Sequence, residues 1–402
     1  MAATSETMSI PLRSPQTVLA SLAQATLGLV FLLVPLQSLW LLWLPSHGVT
    51  GKPFLLLSFW YEPLLYVVFI GALLLRPYQL TRTDILALTL FGLALISWFW
   101  ARHSLGDQIL GMRYDMLPVL AWVCARTSGQ TAGWGYGRLR AVAPVVLGSV
   151  VLQAIVWCID LHWSSLVSLH LDPGQHYAGR LPQLFAPLPG PNQLASYALL
   201  VAIIAWYEWR SKPLAILSSV VLVATASRSA LLGLLAALVT EARRNRIALR
   251  AVIAVGVLVL VLGVTSLVSP SVRFFVAHGK SQQGHDQALT LALDKTFQAP
   301  LGNILFGHGV GTSGPATLVR GTQFIPESWY LQVLYELGVA GLLLFLWWYI
   351  QAARQSHKPA LIQAAWALGV NALFLHVFAD NPAVTLALFA LLGLSANTPL
   401  LG

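Results

Sequence analysis

The chain has 402 residues, of which 57% are hydrophobic and only 9% charged, with a formal net charge of +9. Soluble globular domains carry about 25% charged residues, so this composition excludes most soluble folds. The basic balance does not point to nucleic acid either, because the lysines and arginines fall in short segments between apolar runs and no basic stretch is interleaved with base-stacking aromatics.

Residues 1–16 are polar with one arginine, Arg13, and no small-residue cleavage site follows a short apolar core. No cleaved leader is therefore expected, and the first apolar run is retained as a helix. Apolar runs then recur along the whole chain, and a run of roughly 18–25 residues crosses a hydrocarbon core of about 30 Å as a helix. The runs predict spans near 17–44, 54–75, 84–101, 110–126, 141–161, 192–209, 214–226, 229–241, 249–268, 328–351, 360–379 and 383–399. Backbone polar groups in lipid must be satisfied internally, and the runs lack the strict alternation of a barrel, so the spans are helices. Pro35 and Pro63 are expected kink sites. Between 214–226 and 229–241, the Thr-Ala-Ser-Arg-Ser stretch from Thr225 to Ser229 predicts a tight turn at the membrane surface. Cys124 and Cys158 lie inside apolar runs, which excludes neither thiol from lipid but argues against a disulfide or a metal cluster. The expected fold is an all-α integral membrane protein of about twelve transmembrane helices, a single polytopic domain over residues 1–402 without internal repeat or soluble module.

With the N-terminus in the cytoplasm, the short cytoplasmic segments hold fourteen basic residues: Arg13, Arg76, Arg82, Arg126, Arg138, Arg140, Arg210, Lys212, Arg243, Arg244, Arg246, Arg250, Arg354 and Lys358. The opposite short segments hold five: Lys52, Arg102, Arg113, Arg180 and Arg228. This bias is the positive-inside pattern and puts both termini in the cytoplasm. Two outer segments are then long, one from about Leu161 to Pro191 and one from Ser269 to Glu327. Loops of that length are usually functional or partly helical. The second contains Asp286 to Phe297, which reads as a short amphipathic helix on the outer surface.

The chemistry-bearing residues gather on that outer side. No Gly-rich loop ending in Lys-Ser/Thr and no dinucleotide fingerprint is present, which argues against a nucleotide-driven pump or a nucleotide-sugar enzyme. No His, Cys and carboxylate cluster has metal-ligand spacing, so neither cofactor nor metal is expected. Arg228, between two apolar runs, reads either as an anion site, since guanidinium holds phosphate bidentately, or as a side chain snorkelling to the headgroups. Arg180 precedes a Pro/Gly-rich stretch that leads to Pro191, Asn192 and Gln193. Proline suits the first position of a helix, and exposed amide N–H groups there favour an anion, although ordinary capping accounts for the same residues. Phe306 to Ser313, Phe-Gly-His-Gly-Val-Gly-Thr-Ser, reads as a flexible loop or as a turn bringing N–H groups to a phosphate or sugar, with His308 inside it. Glu327 opens the 328–351 run and reads as a dipole-stabilised helix start or as a general base. Asp380 and Asn381 form a turn before Pro382 that is able to orient neighbouring groups.

These residues together resemble the O-antigen ligase and O-antigen polymerase superfamily of bacterial envelope glycan enzymes. Four stretches carry the resemblance: Gly190-Pro191-Asn192-Gln193-Leu194-Ala195, Ser227-Arg228-Ser229-Ala230-Leu231-Leu232, the long loop closing with Leu305 to Gly311, and Pro326-Glu327-Ser328-Trp329-Tyr330-Leu331 continuing to Glu336-Leu337-Gly338 and Gly341. The first half of the chain matches only in its number of hydrophobic runs. Ligases of this family carry a histidine followed by Asn, Ser or Gln, then nine residues, then Gly-x-x-Gly. Here Glu327-Ser328 occupies that position before Gly338 and Gly341, so glutamate replaces the histidine.

The resemblance implies a metal-independent transfer of a glycan from a polyprenyl-diphosphate carrier to an acceptor hydroxyl, at the outer face of a bacterial inner membrane, with inversion at the anomeric centre. It implies a lipid-linked donor, a glycolipid or glycan acceptor and membrane lipids as partners. Arg228 and Glu327 are the expected catalytic residues. Arg180, Asn192, His308 and Arg320 are expected to bind substrate, together with Arg273 or His285, the nearest matches to a second basic residue the family places early in the long loop. A polymerase of the same superfamily and a transferase to protein side chains are alternatives. A secondary transporter or flippase would need charges near the midplane and related halves, and the halves here are unlike. A non-catalytic scaffold of envelope assembly is a third class.

Overall fold

A computed structural model describes residues 14–101, 104–158, 177–178, 181–182, 186–225, 227–242, 279–319 and 324–397. The N-terminal part runs as α1 (Pro15–Leu33), α2 (Gln37–Ser46), α3 (Gly51–Ser58), α4 (Tyr61–Leu75), α5 (Arg82–Ile96), α6 (Leu105–Asp115), α7 (Leu117–Ser128) and α8 (Ala132–Cys158). A two-residue antiparallel pair follows, β1 (Tyr177–Ala178) and β2 (Leu181–Pro182), an extended interruption of an otherwise helical expectation. Then come α9 (Pro191–Tyr207), α10 (Lys212–Ala224) and α11 (Arg228–Ala242). The remainder is α12 (Gly279–Phe297), α13 (Leu301–Phe306), α14 (Pro315–Val319), α15 (Trp329–Gln355), α16 (Pro359–Asn371), α17 (Val377–Asp380) and α18 (Pro382–Ser395).

Four of the described helical segments are long and apolar enough to cross a membrane: Pro15–Pro45, Arg82–Phe99, Ala132–Val156 and Trp329–Gln355. That is fewer than the twelve expected. Tyr61–Leu75, Lys212–Ala224 and Pro382–Ser395 are further apolar helices of shorter length, and several of the expected runs are interrupted. The 54–75 run breaks at Phe59 and Trp60 into α3 and α4, which places Pro63 in a first turn where its missing N–H costs nothing. The 110–126 run breaks at Met116, and Pro118 sits at the start of α7. The 360–379 run ends as a helix at Asn371 and resumes only as the one-turn α17. Pro35 lies in a 3-10 turn, Val34–Leu36, that joins α1 to α2, as its position suggested. The expected span at 249–268 lies outside the described residues. A helix is present where one was expected at 286–297 and is longer, beginning at Gly279, with Leu289, Leu291 and Leu293 exposed around it and Ala292 and Thr296 buried.

The interior is built from helices that are buried around nearly their whole girth. Every residue of α7 is buried, as is nearly all of α18, and the two pack on one another. Small residues permit this approach: a Cβ on Gly393 would lie 2.8 Å from Ala125 Cβ and from the Trp122 carbonyl oxygen. An aromatic block of Trp329, Phe345, Trp348, Tyr349, Phe378 and Phe389 fills the space between α15, α17 and α18. The outer helix faces, by contrast, present bare aliphatic rows such as Val67, Ile70 and Leu74 on α4 and Ile216, Val220 and Val223 on α10. Apolar rows of that extent are the surface a bilayer solvates, and this is a membrane protein.

One ionic device departs from the loop reading of its members. Arg126, counted with the surface cations of the short segments, is 7% exposed and sits 3.2 Å from the fully buried Asp84. Asp84 also accepts from Trp122 Nε1 at 2.7 Å, and Arg126 donates to the Ala396 carbonyl at 2.8 Å. The pair therefore ties α5, α7 and the end of α18 together. Arg113 is likewise occupied, 2.7 Å from Glu62 and stacked over the Phe59 ring.

Candidate active site

The ends of four helices meet through side chains rather than through apolar packing. The first is the start of α9. Pro191 occupies its first turn, where a missing N–H is harmless, and Asn192 and Gln193 follow it. The second is the tight turn between α10 and α11. Thr225 bends back on the Leu222 carbonyl, and Ser227 N–H bonds the Thr225 hydroxyl. The Ser227 hydroxyl then donates to Asn192 Oδ1 at 2.9 Å, which locks the turn onto α9. Arg228 is the first residue of α11, exposed beside this lock.

The third element is the lead-in to α15, and it differs from the expectation. Glu327 does not open the helix. Ser328 is the N-cap, no acid lies in the first turn, and Glu327 precedes the cap in a left-handed conformation with φ of 59°. A non-glycine residue held there costs of order 1–3 kcal/mol and persists only where surroundings over-determine it. Here the surroundings are the 372–376 turn. The Trp329 N–H donates to the Ala372 carbonyl at 3.1 Å and to the Leu375 carbonyl at 3.2 Å, and the Ser328 hydroxyl reaches Ala372 as well.

That turn carries the fourth element and a residue that sequence reasoning missed, His376. Its Nε2 lies 3.2 Å from Asp380 Oδ2. The same Asp380 oxygen accepts from Gln193 Nε2 at 3.0 Å, and Asn381 Nδ2 donates to the Gln193 carbonyl at 2.9 Å. Asn381 also caps α18 by accepting from Val384 N–H. Turn chemistry and orientation of neighbours are thus both realised in Asp380 and Asn381. Burial disfavours a charged His376 ring, yet Asp380, and beyond it Glu327, leave its pKa raised above the ordinary histidine value. The signal for His376 was present in the sequence. An ionisable residue inside an assigned span marks a functional position by default, and His376 and Asp380 stand four residues apart on one helical face.

The structure therefore links the Arg228 turn and Asn192, through Ser227, Gln193 and Asp380, to the 372–381 stretch, and that stretch also receives the Ser328–Trp329 lead-in that Glu327 precedes. It does not bring His308 into those contacts. His308 is stacked on Tyr335 with ring centroids 4.2 Å apart, and its Nδ1 lies 3.1 Å from the Tyr335 carbonyl. It lines a cleft of about 840 Å³ with Trp100, Asn303, Phe306 and Tyr335. Arg180, Arg273 and Arg320 lie outside the described residues, and His285 is described only as a backbone position in α12.

The glycine-rich stretch at 306–313 is neither a floppy loop nor an open cradle. Gly338 breaks α15 with φ of 69° and ψ of −171°, which leaves the preceding carbonyls without their helical donors. His308 N–H bonds the Tyr335 carbonyl at 2.9 Å and Gly309 N–H bonds the Glu336 carbonyl at 2.8 Å. The Glu336 carboxylate accepts from both the N–H and the hydroxyl of Ser313. Its glycines are demanded by this contact: a Cβ on Gly307 would sit 2.1 Å from the Glu336 oxygen. Three N–H groups of the stretch are thus committed to α15, and a fourth, that of Val310, to Ser97.

Residues 213–346, about a third of the chain, match a family model described as O-antigen ligase. The match contains Arg228, His308 and Glu327 but stops short of Asn192, His376 and Asp380. No curated protein matches the chain.

Proposed function

We propose that this chain, a member of the O-antigen ligase superfamily by its residues 213–346, transfers a glycan from a polyprenyl-diphosphate carrier to an acceptor hydroxyl on the extracytoplasmic face of a bacterial inner membrane. The observation that carries this reading is that the arginine turn is locked onto the start of α9, and that α9 in turn bonds Asp380 in the same 372–381 stretch that receives the lead-in carrying the strained Glu327. As the glycosidic bond breaks, the diphosphate leaving group gathers negative charge. An always-charged guanidinium at Arg228 stabilises that charge bidentately, and a metal is not required for it. The bond from Ser227 to Asn192 fixes the backbone from which Arg228 projects. Glu327 takes the acceptor hydroxyl proton as the new glycosidic bond forms, and attack opposite the diphosphate inverts the anomeric carbon. An apolar groove of about 650 Å³ along α9, α10 and α11, lined by Ile203, Trp206, Ile216, Val220 and Leu234, suits the polyprenyl tail. On α9 and α11 it is lined by the second halves of the helices, away from Asn192 and Arg228, and on α10 it runs up to Val223 and Ala224, next to the turn that carries Arg228.

Arg228→Ala abolishes transfer on this reading while the protein stays in the membrane at normal amount. Arg228→Lys remains impaired, because an ammonium cannot reproduce bidentate phosphate contact. Turnover of purified protein on a lipid-linked donor is the measurement, and wild-type turnover in Arg228→Ala would leave the arginine as an interfacial anchor only. The glycan pattern of a strain carrying Arg228→Ala also names the acceptor. Loss of all long chains from the acceptor marks a ligase, and retention of a single repeat marks a polymerase.

The reading requires α12 and Glu327 outside and the 243–250 segment inside. After replacement of Cys124 and Cys158, a cysteine at Gln283 is labelled by an impermeant thiol reagent on spheroplasts and one at Asn245 is not. The reverse pattern would overturn the orientation and the chemistry with it.

A further inference from the structure

The cleft of about 840 Å³ beside His308 has no part in the transfer chemistry above. Its walls come from the end of α5 and Trp100, from α13 and the glycine-rich stretch, and from α15. The three walls are tied together. Val310 N–H bonds the Ser97 hydroxyl at 3.2 Å, and His308 N–H bonds the Tyr335 carbonyl at 2.9 Å. The Tyr335 ring is stacked on His308 and meets Phe324 edge-on, with centroids 4.8 Å apart. The cleft is therefore preformed, as binding sites for small polar ligands usually are. Trp100, His308 and Tyr335 supply aromatic rings to it, and Asn303 supplies an amide. His308 Nδ1 lies against a carbonyl, which only accepts, so Nδ1 is the donor and the neutral ring keeps Nε2 as an acceptor. Among the described residues no protein group takes up that nitrogen, the Asn303 amide or the Tyr335 hydroxyl. No lysine, arginine or carboxylate is among the described residues that line the cleft. A diphosphate would go unneutralised there. A neutral pyranose would not, since its C–H face suits an aromatic ring and its hydroxyls suit amide, imidazole and phenol groups. The rim is apolar, with Ile96, Phe99, Leu301 and Phe306 all exposed. Phe99 ends the Arg82–Phe99 span, and Trp100 follows it, the level at which tryptophan is enriched at a membrane–water boundary. The cleft thus lies at the bilayer edge, where a glycan attached to a lipid is presented.

We propose that this cleft binds the neutral sugars of the membrane-anchored acceptor, so that donor and acceptor enter on different helices. The assignment rests on the transfer reading above. Two features choose acceptor over donor. The groove suited to the donor's lipid is lined by α9, α10 and α11, and the described lining of the His308 cleft includes none of them. Glu327, the base that must meet the acceptor hydroxyl, immediately precedes the Ser328 cap of α15. Tyr335 lies on the same helix, roughly 9 Å past Trp329 at the helical rise of about 1.5 Å per residue. The cleft and the base therefore share one helix, and the diphosphate-binding arginine sits on another. His308 then serves in binding through its ring, while the N–H groups around it hold the fold together.

The test uses two probes on the purified full chain, in a detergent without a sugar headgroup. One is the free oligosaccharide released by mild acid from the glycolipids of a strain lacking this chain. The other is polyprenyl diphosphate without sugar. Trp100→Ala weakens equilibrium binding of the oligosaccharide about tenfold, the loss expected for a central aromatic contact, and leaves binding of the polyprenyl diphosphate unchanged. Arg228→Ala does the reverse. Gly302→Trp decides the matter should Trp100→Ala not accumulate. Gly302 lines the cleft with nothing within 4 Å of a Cβ, so the indole enters open space and occupies the sugar's place. In turnover with a lipid-linked donor and the glycolipid acceptor, Gly302→Trp raises the acceptor KM at least tenfold with the donor KM unchanged. Oligosaccharide binding that is absent in wild type, or untouched in Gly302→Trp, overturns the cleft as a sugar site. A raised donor KM with the acceptor KM unchanged gives the cleft to the donor's glycan and overturns the acceptor assignment. Wild-type protein that binds both probes but transfers nothing overturns the transfer reading itself, and the acceptor assignment falls with it.

Discussion

Glu327→Gln loses roughly 10²–10⁴-fold in turnover, the usual share of a general base in a proton-transfer step. The amide keeps the size of the carboxylate but cannot accept the hydroxyl proton. Donor binding survives, because Arg228 is untouched. The structure removes the main rival account of such a loss. A glutamate in the first turn of a helix would stabilise the dipole, and its replacement would cost protein rather than turnover. Glu327 is not in that turn, since Ser328 is the N-cap. The left-handed backbone supplies a sharper control. Glycine adopts φ of 59° without strain, so Glu327→Gly relaxes the backbone and is expected to accumulate at least as well as wild type. It is nonetheless expected to be as inactive as the glutamine variant. Conformational strain retained at a position where glycine would be cheaper points to a side chain kept for its chemistry. Turnover per folded molecule within a few-fold of wild type in Glu327→Gln would take this carboxylate out of the mechanism.

Much of the helical order was legible in the apolar runs, and so was the turn at Thr225 to Ser229, because polar residues interrupt otherwise aliphatic stretches there. Pro191 was legible as a helix start for a local reason, its lack of an N–H. The internal breaks were not. Hydropathy averaged over a span does not register a change of direction at Met116 or between Asn371 and Val377, and each break shortens helices that the sequence presented as full crossings. The same averaging hid His376, because a run assigned as a span from 360 to 379 draws the eye away from the one titratable side chain inside it. The Gly-rich stretch was misread for a different reason. Its conformation is set by carbonyls freed at Gly338, about thirty residues on, and no local pattern states that partnership. Conversely, the candidate site was half visible. Arg228, Asn192 and Glu327 stand out by their chemistry, whereas the hydrogen bonds that tie Asn192 and its neighbour to the Arg228 turn and to Asp380 pass through Ser227 and Gln193, residues whose individual sequence signals are no stronger than those of ordinary turns.

Gly338→Ala is expected to cost the fold more than the reaction, by about 3 kcal/mol or more. Its φ of 69° with ψ of −171° lies in a region essentially reserved for glycine. A Cβ there would sit 2.4 Å from both the carbonyl carbon and oxygen of Leu305 and 2.5 Å from the Phe306 nitrogen. These are backbone atoms, so no flexible side chain can swing aside. Facing it, Gly307 meets the Glu336 carbonyl under the same constraint, and one insertion therefore separates both crossings. The bonds from His308 and Gly309 to the freed carbonyls would be lost together, leaving buried acceptors unpaired. Gly302→Ala is the matching control in the same region, with nothing within 4 Å of its Cβ and no left-handed backbone. Thermal unfolding in mild detergent should show a large drop for Gly338→Ala and little change for Gly302→Ala. Equal melting of the two would mean that the crossing of α13 and α15 contributes nothing. The surviving folded fraction carries the second result. If the stretch at 306–313 is a strap, turnover per folded molecule stays near wild type, because Arg228 and Glu327 are held by other contacts. A selective fall in turnover with donor KM raised would instead return the glycine-rich turn to the phosphate or sugar, against the commitment of its N–H groups to α15 and Ser97.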